Sequence, residues 1–202
     1  MEKLYDEALD LFENQELDKA KEICQKILKE NSKDLNTLLL IGVIAFKKKK
    51  YLKSIEIFDY AIQFYPKIVD LYLNKTLALI SIDKYSEALE CCEKLDTLDK
   101  NNQKTFNFKG LIFLKQNKNY DAIDNLKKSL EINNQNSETY NNLGIAYIRI
   151  KKYEESINYL KKSINLNSNN PEAYINLGTA FKNIREFDKA IMNFNKAIEL
   201  NP

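Results

Sequence analysis

The chain has 202 residues, with 31 Lys plus Arg against 29 Asp plus Glu and a net charge of +2. A balance this even supplies no general attraction to nucleic acid or to an anionic membrane. With no His, 3 Cys, 4 Gly and 3 Pro, the chain cannot build a Ser-His-Asp triad, a Cys-His dyad or a His-ligated metal site, and a Gly-rich phosphate loop or a turn-rich β sandwich is disfavoured.

The chain opens on MEKLYDEALDLF, which carries acids where a secretory signal needs basic residues and has no apolar stretch of signal length. The three cysteines are odd in number, and Cys91 and Cys92 are adjacent. That pattern suits reduced thiols and predicts a cytoplasmic protein. Leu4, Ala8 and Leu11 share one face of a first helix, and Ala20, Cys24 and Ile27 one face of a second. An apolar run from Leu38 to Phe46 follows, interrupted by Gly42 and too short to span a bilayer. The run Lys47 to Lys50 then reads as a solvated turn, ahead of Ser54, Phe58 and Ala61. The same alternation returns as Tyr72, Thr76, Leu79 with Ala88, Cys92, Leu95, and as Phe106, Gly110, Phe113 with Ala122, Leu126, Ser129. It returns twice more, as Tyr140, Gly144, Tyr147 with Ser156, Leu160, Ser163 and as Tyr174, Gly178, Phe181 with Ala190, Phe194, Ala197.

The glycines are Gly42, Gly110, Gly144 and Gly178; their last two gaps are equal, and the first is twice as long. Taking Gly as position 8 divides the chain into six units, 1–34, 35–68, 69–102, 103–136, 137–170 and 171–202. Position 8 is always small (Ala8, Gly42, Thr76, Gly110, Gly144, Gly178), as is position 20, so helix A (positions 2 to 14) and helix B (positions 18 to 31) of a unit can approach closely. Asp34, Asn102, Asn136 and Asn170 stand where the next helix A needs an N-cap, and Pro171 follows at the first helical position. Asn31, Asn133, Asn167 and Asn201 fall where a residue that tolerates the left-handed region can stop helix B. No unit buries its face alone, so stability must come from stacked neighbours. Cys24 and Cys92 then occupy a core position, with Cys91 beside them, and read as structural.

This 34-residue pattern resembles the tetratricopeptide repeat family. The sixth unit, PEAYINLGTAFKNIREFDKAIMNFNKAIELNP, follows it almost throughout; the first, with Glu7 and Ala8 where Leu-Gly is usual, departs most. The resemblance implies an all-α fold, a right-handed α-α superhelix (solenoid) of six helix-turn-helix repeats forming one domain over 1–202. It implies an adaptor or scaffold that holds an extended peptide or a partner protein in a concave groove. Units five and six resemble those preceding the catalytic domain of O-linked N-acetylglucosamine transferases, so the alternative is the N-terminal substrate-recruiting arm of a longer enzyme. Chaperone-tail receptors of the family need a cationic clamp. The windows that could supply it offer Leu73, Leu77, Phe108, Glu138 and Asn142, or Asn107, Leu111, Asn142, Glu172 and Asn176, and so argue against that role.

By unit the charge runs −4, +4, −3, +3, +2 and 0, so no basic stripe continues along the chain and no nucleic-acid or membrane partner is expected. Lysines at position 26 follow Glu22, Glu90 and Asp124 by one turn, which is ordinary helix support. No catalytic residue, metal or cofactor is expected. The expected ligand face is helix A at positions 2, 5, 6, 9, 12 and 13, opposite the packing face. Position 6 carries Asn74, Asn142 and Asn176, whose amides could pair with both backbone groups of an extended peptide; the resemblance places such an Asn column in the groove. Leu73, Leu77, Phe108, Leu111, Leu114, Ile145 and Ile148 form the expected apolar floor. Helix B of the last unit keeps Ile191, Phe194, Ala197, Ile198 and Leu200, an edge expected either to be covered by further chain or to self-associate.

Overall fold

In a computed structural model, residues 2–201 are described and form twelve α-helices with no strand among them. The helices A are α1 (Glu2–Glu13), α3 (Leu35–Lys47), α5 (Val69–Ile80), α7 (Gln103–Lys115), α9 (Ser137–Arg149) and α11 (Pro171–Asn183). The helices B are α2 (Leu17–Glu30), α4 (Tyr51–Phe64), α6 (Tyr85–Leu98), α8 (Asn119–Ile132), α10 (Tyr153–Leu166) and α12 (Phe187–Leu200). Six antiparallel hairpins of an all-α solenoid result, most helices starting one position earlier than the spacing predicts. The hairpins pack as two units, Met1–Lys100 with the first three and Asn101–Pro202 with the last three.

Within the first unit, Ala8, Ala20, Cys24 and Ile27 pack with Ile41 and Ile44 of the next hairpin, and Leu38, Phe58 and Ala61 pack with Leu71 of the third. In the second, Leu126 joins Leu143, Ala146 and Tyr147, and Leu160 joins Leu177, Ala180 and Phe181. Each core thus runs from hairpin to hairpin, and each fully buried Leu or Phe contributes about 1.5–3 kcal/mol.

The contact of positions 8 and 24 explains the small column. A Cβ on Gly42 would lie 2.5 Å from Cε1 of Phe58, and one on Gly178 would lie 3.1 Å from the carbonyl oxygen of Ala190. Where position 8 is Gly, position 24 is Phe58, Leu126, Leu160 or Phe194; where it is Ala8 or Thr76, position 24 is Cys24 or Cys92. The two positions share one volume, so the cysteines are small fillers beside a larger neighbour. Ser54 and Ser156 at position 20 donate to the carbonyls of Gly42 and Gly144 at 2.9 and 2.8 Å, which satisfies a hydroxyl buried in the crossing.

The caps fall as predicted at helix A. Asp34 Oδ1 accepts from the Thr37 amide at 2.9 Å, Asn136 Oδ1 from Thr139 at 3.0 Å, and Asn102 and Asn170 Oδ1 from Lys104 and Glu172 at 3.0 Å each. Asn at position 31 corrects the expectation. Asn31, Asn133 and Asn167 have extended backbones, with φ of −133°, −145° and −145°. Their side chains instead accept from the amide two residues on, at 3.2, 2.9 and 3.1 Å, so Asn holds the link by an Asx turn. The left-handed residue lies at position 15, in the A–B turn: Gln15, Lys49, Asp83, Asn117, Lys151 and Arg185 all have φ between 56° and 65°. There the amide of position 16 donates to the carbonyl of position 11, at 2.8–3.0 Å, as in Glu16 to Leu11 and Lys84 to Leu79. That bond defines a Schellman motif closing helix A.

The lysine run is more than a solvated turn. Lys47 Nζ sits 4.2 Å from the centroid of the Phe12 ring, Lys48 pairs with Asp18 of α2, and Lys49 takes the left-handed conformation. No helix among the described residues is long and apolar enough to cross a membrane.

Candidate functional site

Each of the two units presents its own helix A face. In the first unit, α1, α3 and α5 frame a hollow of about 240 Å³. Its walls are Tyr5, Phe12, Leu39, Leu40 and Val43, with Asp70 and Asn74 at one end. Asn74 Nδ2 donates to the Asp70 carbonyl of its own helix at 2.8 Å, so one of its donors is already committed. Leu77 is half-buried. This hollow is apolar and aromatic, with little main-chain-like polarity to offer.

The second unit presents a different face on α7, α9 and α11. Asn107 and Asn142 are 7% and 6% exposed. Thr139 Oγ1 donates to Asn107 Oδ1 at 3.1 Å, and Asn176 Nδ2 donates to Asn141 Oδ1 at 3.0 Å. The Nδ2 group of Asn142 is buried with no hydrogen-bond partner. An unsatisfied buried donor costs about 1–3 kcal/mol; the hydroxyls of Thr37 and Thr105 are buried without a partner as well, but they lie at position 3, off the helix A face. Phe108, Leu111, Ile145 and Ile148 are half-buried. Ile145 leans on the cluster of Leu143 and Tyr147, and Ile148 on that of Ile157 and Leu177, so these two also serve the core.

Of the ten residues singled out from sequence, seven lie in the second unit, and Leu73, Asn74 and Leu77 lie in the first; Leu73 and Leu114 are buried, at 7% and 3% exposure, and so belong to the packed interior rather than to the floor. Position 5 belongs to the expected face, and there Asn107 and Asn141, one repeat apart, carry the hydrogen bonds that organise the Asn face, a role the sequence did not assign them. In the first unit the missed residues are Tyr5, Phe12, Leu39 and Val43, at positions 5, 9 and 12 of the face already identified. The repeat register was enough to find both sets.

A second open surface lies on the last hairpin. Ile175, Ile191 and Ile198 are 48%, 56% and 62% exposed, and Ile175, Phe194, Ala197 and Ile198 border a hollow of about 390 Å³. Among the described residues no group of three or more His, Cys, Asp or Glu side chains could hold a metal ion. Burial raises the Cys24 thiol to about 11, far from the range of a nucleophilic cysteine.

Stacked helical hairpins with an accessible helix A face define a helical repeat protein. Tetratricopeptide repeat profiles match residues 5–67, 69–102 and 171–202, and a further TPR repeat profile matches 110–151 and 146–184. These matches take in nearly the whole sequence, and the chain belongs to the tetratricopeptide repeat family. No curated protein matches it in sequence. Among solved structures, MamA is 22% identical, with a TM-score of 0.67 over 79% of this chain and 94% of that one. A chain of the APC/C hetero-tetramer Cut9–Hcn1 is 14% identical, with a TM-score of 0.90 over 98% of this chain and 40% of that one. A tetratricopeptide repeat protein of Parabacteroides merdae is 16% identical, with a TM-score of 0.80 over 100% of this chain and 80% of that one. At these identities the likeness is one of fold.

Proposed function

We propose that the helix A face of the second unit binds an extended segment of a partner protein, making the chain an adaptor or scaffold rather than a catalyst. The observation that carries this reading is the buried, unpartnered Nδ2 of Asn142. A rotation of the Asn142 amide toward the open face would let a main-chain carbonyl of an extended peptide accept its hydrogen bond. Asn176 sits on the same face, already oriented by Asn141. Phe108, Leu111, Ile145 and Ile148 supply apolar ground for the peptide's side chains, and Asn74 and Leu77 carry the same pattern on the first unit.

The test begins with a photo-crosslinking residue at Ile145, read by mass spectrometry, with one at the exposed Tyr120 of α8 as control. Capture from Ile145 and not from Tyr120 identifies the partner. Calorimetry with that partner should then show N142A and N176A each weakening binding by about 0.5–1.5 kcal/mol per lost hydrogen bond. N142A should not destabilise the fold, because it removes an unsatisfied donor and introduces a better helix former. Unchanged affinity in the double variant would overturn the reading.

The exposed Ile175, Ile191 and Ile198 favour a second, compatible role, self-association through the last hairpin. Sedimentation velocity should show a concentration-dependent species that I191E/I198E abolishes.

A further inference from the structure

The repeat register exposes one gap in the first unit that sibling hairpins fill. Position 11 is Leu79, Phe113, Tyr147 or Phe181 in later hairpins, but Ala45 in the second hairpin. Position 21 is Ile55, Leu89, Ile123, Ile157 or Ile191, but Lys21 in the first. Both departures meet at one place, a cavity of about 200 Å³ between α2, α3 and α4. Its floor is Ile41, Ile44, Ala45 and Ile57, and its walls include Lys21, Lys48, Lys50 and Lys53. The volume suits one large side chain and is below that of a pocket for a drug-sized ligand.

The second unit shows what such a slot holds. Tyr147 fills the place of Ala45, stacked 5.2 Å from Tyr159, with Lys127 Nζ 5.9 Å from its ring. One hairpin on, Phe181 fills it beneath Lys161 and Lys189, at 5.9 and 5.5 Å. Lys53 stands in the first unit where Lys189 stands in the last, at position 19. An aromatic ring under lysine ammonium groups is therefore the arrangement this architecture already makes, with favourable cation–π contact.

The cations of the cavity exceed their counter-charges. Asp18 pairs with Lys48, and Glu56 pairs with Lys53 at 2.8 Å. Lys21 and Lys50 make no ion pair of their own among the described residues and share the field of Asp18 with Lys48, which leaves the cations in excess. Lys21, charged where every sibling is aliphatic, puts a cation at the mouth of an apolar hole.

We propose that this cavity is a socket for an aromatic side chain flanked by carboxylates on a partner polypeptide. The ring takes the space that Ala45 leaves, and the carboxylates meet Lys21 and Lys50. The socket lies on the first unit, formed by α2, α3 and α4, and does not depend on the Asn face of the second.

The probe is a blocked Glu-Glu-Phe-Glu-Glu peptide, followed by amide NMR shifts of the full chain at low salt. Saturable shifts should centre on Ile44, Ala45 and Ile57. Binding should weaken about tenfold or more in A45F, which plugs the socket with a residue type the column already accommodates. It should weaken similarly for the peptide with Ala in place of Phe, and further on raising salt from about 50 to about 500 mM. Should A45F fail to fold, A45L, which copies Leu79, serves instead. Equal binding by the plugged variant, or by the peptide without its ring, would overturn the proposal, as would equal binding of the Lys-for-Glu peptide. The N142A/N176A variant should bind this probe unchanged, so the two sites fail or survive separately.

Discussion

At position 5 the first unit carries Tyr5, Leu39 and Leu73, and the second carries Asn107, Asn141 and Ile175. Leu39 packs against the cluster that holds Leu71 of the following helix A. In the second unit the matching pair is Asn107 and Thr139, joined by a hydrogen bond of 3.1 Å. One backbone geometry therefore accepts an apolar contact in one half and a polar one in the other. The core differs as well. The second unit repeats Gly against Leu or Phe three times, whereas the first uses Ala8 with Cys24, Gly42 with Phe58 and Thr76 with Cys92. What the fold demands at these crossings is a summed volume and a satisfied set of polar atoms, not a residue type. The helix A face is then available to diverge, and it has: aromatic and aliphatic in the first unit, amide-lined in the second.

The volume rule gives the largest expected effect. Phe58→Cys should cost about 3 kcal/mol by opening a cavity over Gly42. Adding Gly42→Ala should recover part of that loss, because the pair then copies Ala8 with Cys24, although G42A alone should cost about 1–2 kcal/mol. Urea unfolding followed by circular dichroism measures all three; losses that simply add would break the shared-volume account. Next in size, Asn107→Ala should cost about 1–3 kcal/mol by stranding the Thr139 hydroxyl. The double change N107L/T139V, which imitates Leu39 with Leu71, should stay within about 1.5 kcal/mol of the wild type in the same experiment. A double variant as unstable as N107A would mean that the two units do not tolerate each other's chemistry.

Smaller effects sharpen the contrast. Lys151→Gly should stabilise by about 0.5–1 kcal/mol, since φ of 62° favours a residue without Cβ. Asn117→Gly, at the same turn position, should gain less because Asn tolerates that region. All three cysteines belong to the first unit, and burial raises the Cys24 and Cys91 thiols. Above the ordinary thiol range the unfolded chain releases these protons while the folded chain retains them. Stability therefore falls as pH rises from about 9, the Cys24 share of the loss being complete near 11. The urea midpoint should drop from pH 8.5 to 10, and a thiol reagent should label the native protein only as fast as the first unit opens. Rapid stoichiometric labelling at pH 8 would show that these thiols are not core fillers.

Much of this protein was legible in one dimension. Glycines spaced by whole multiples of one repeat length set the register. The register located twelve helices and the capping role of Asp34, Asn102, Asn136 and Asn170. These features are local or periodic, so spacing alone carries them. What the sequence could not declare depends on partners distant in the chain. The left-handed residue of each hairpin is Gln, Lys, Asp, Asn, Lys or Arg, never Gly, because the Schellman closure and hairpin packing outweigh the residue's own preference. Asn107 and Asn142 occupy adjacent columns and look alike as letters. Only packing made one an acceptor for Thr139 and left the other's donor buried and unmatched. Lys21 and Ala45 read as ordinary substitutions in two different hairpins, and only the crossing of α2, α3 and α4 turned them into one cavity. Periodicity determines which elements form and which way they face; the burial, pairing and voids of individual side chains are sums over neighbours from other hairpins, and those sums exist only in the folded chain.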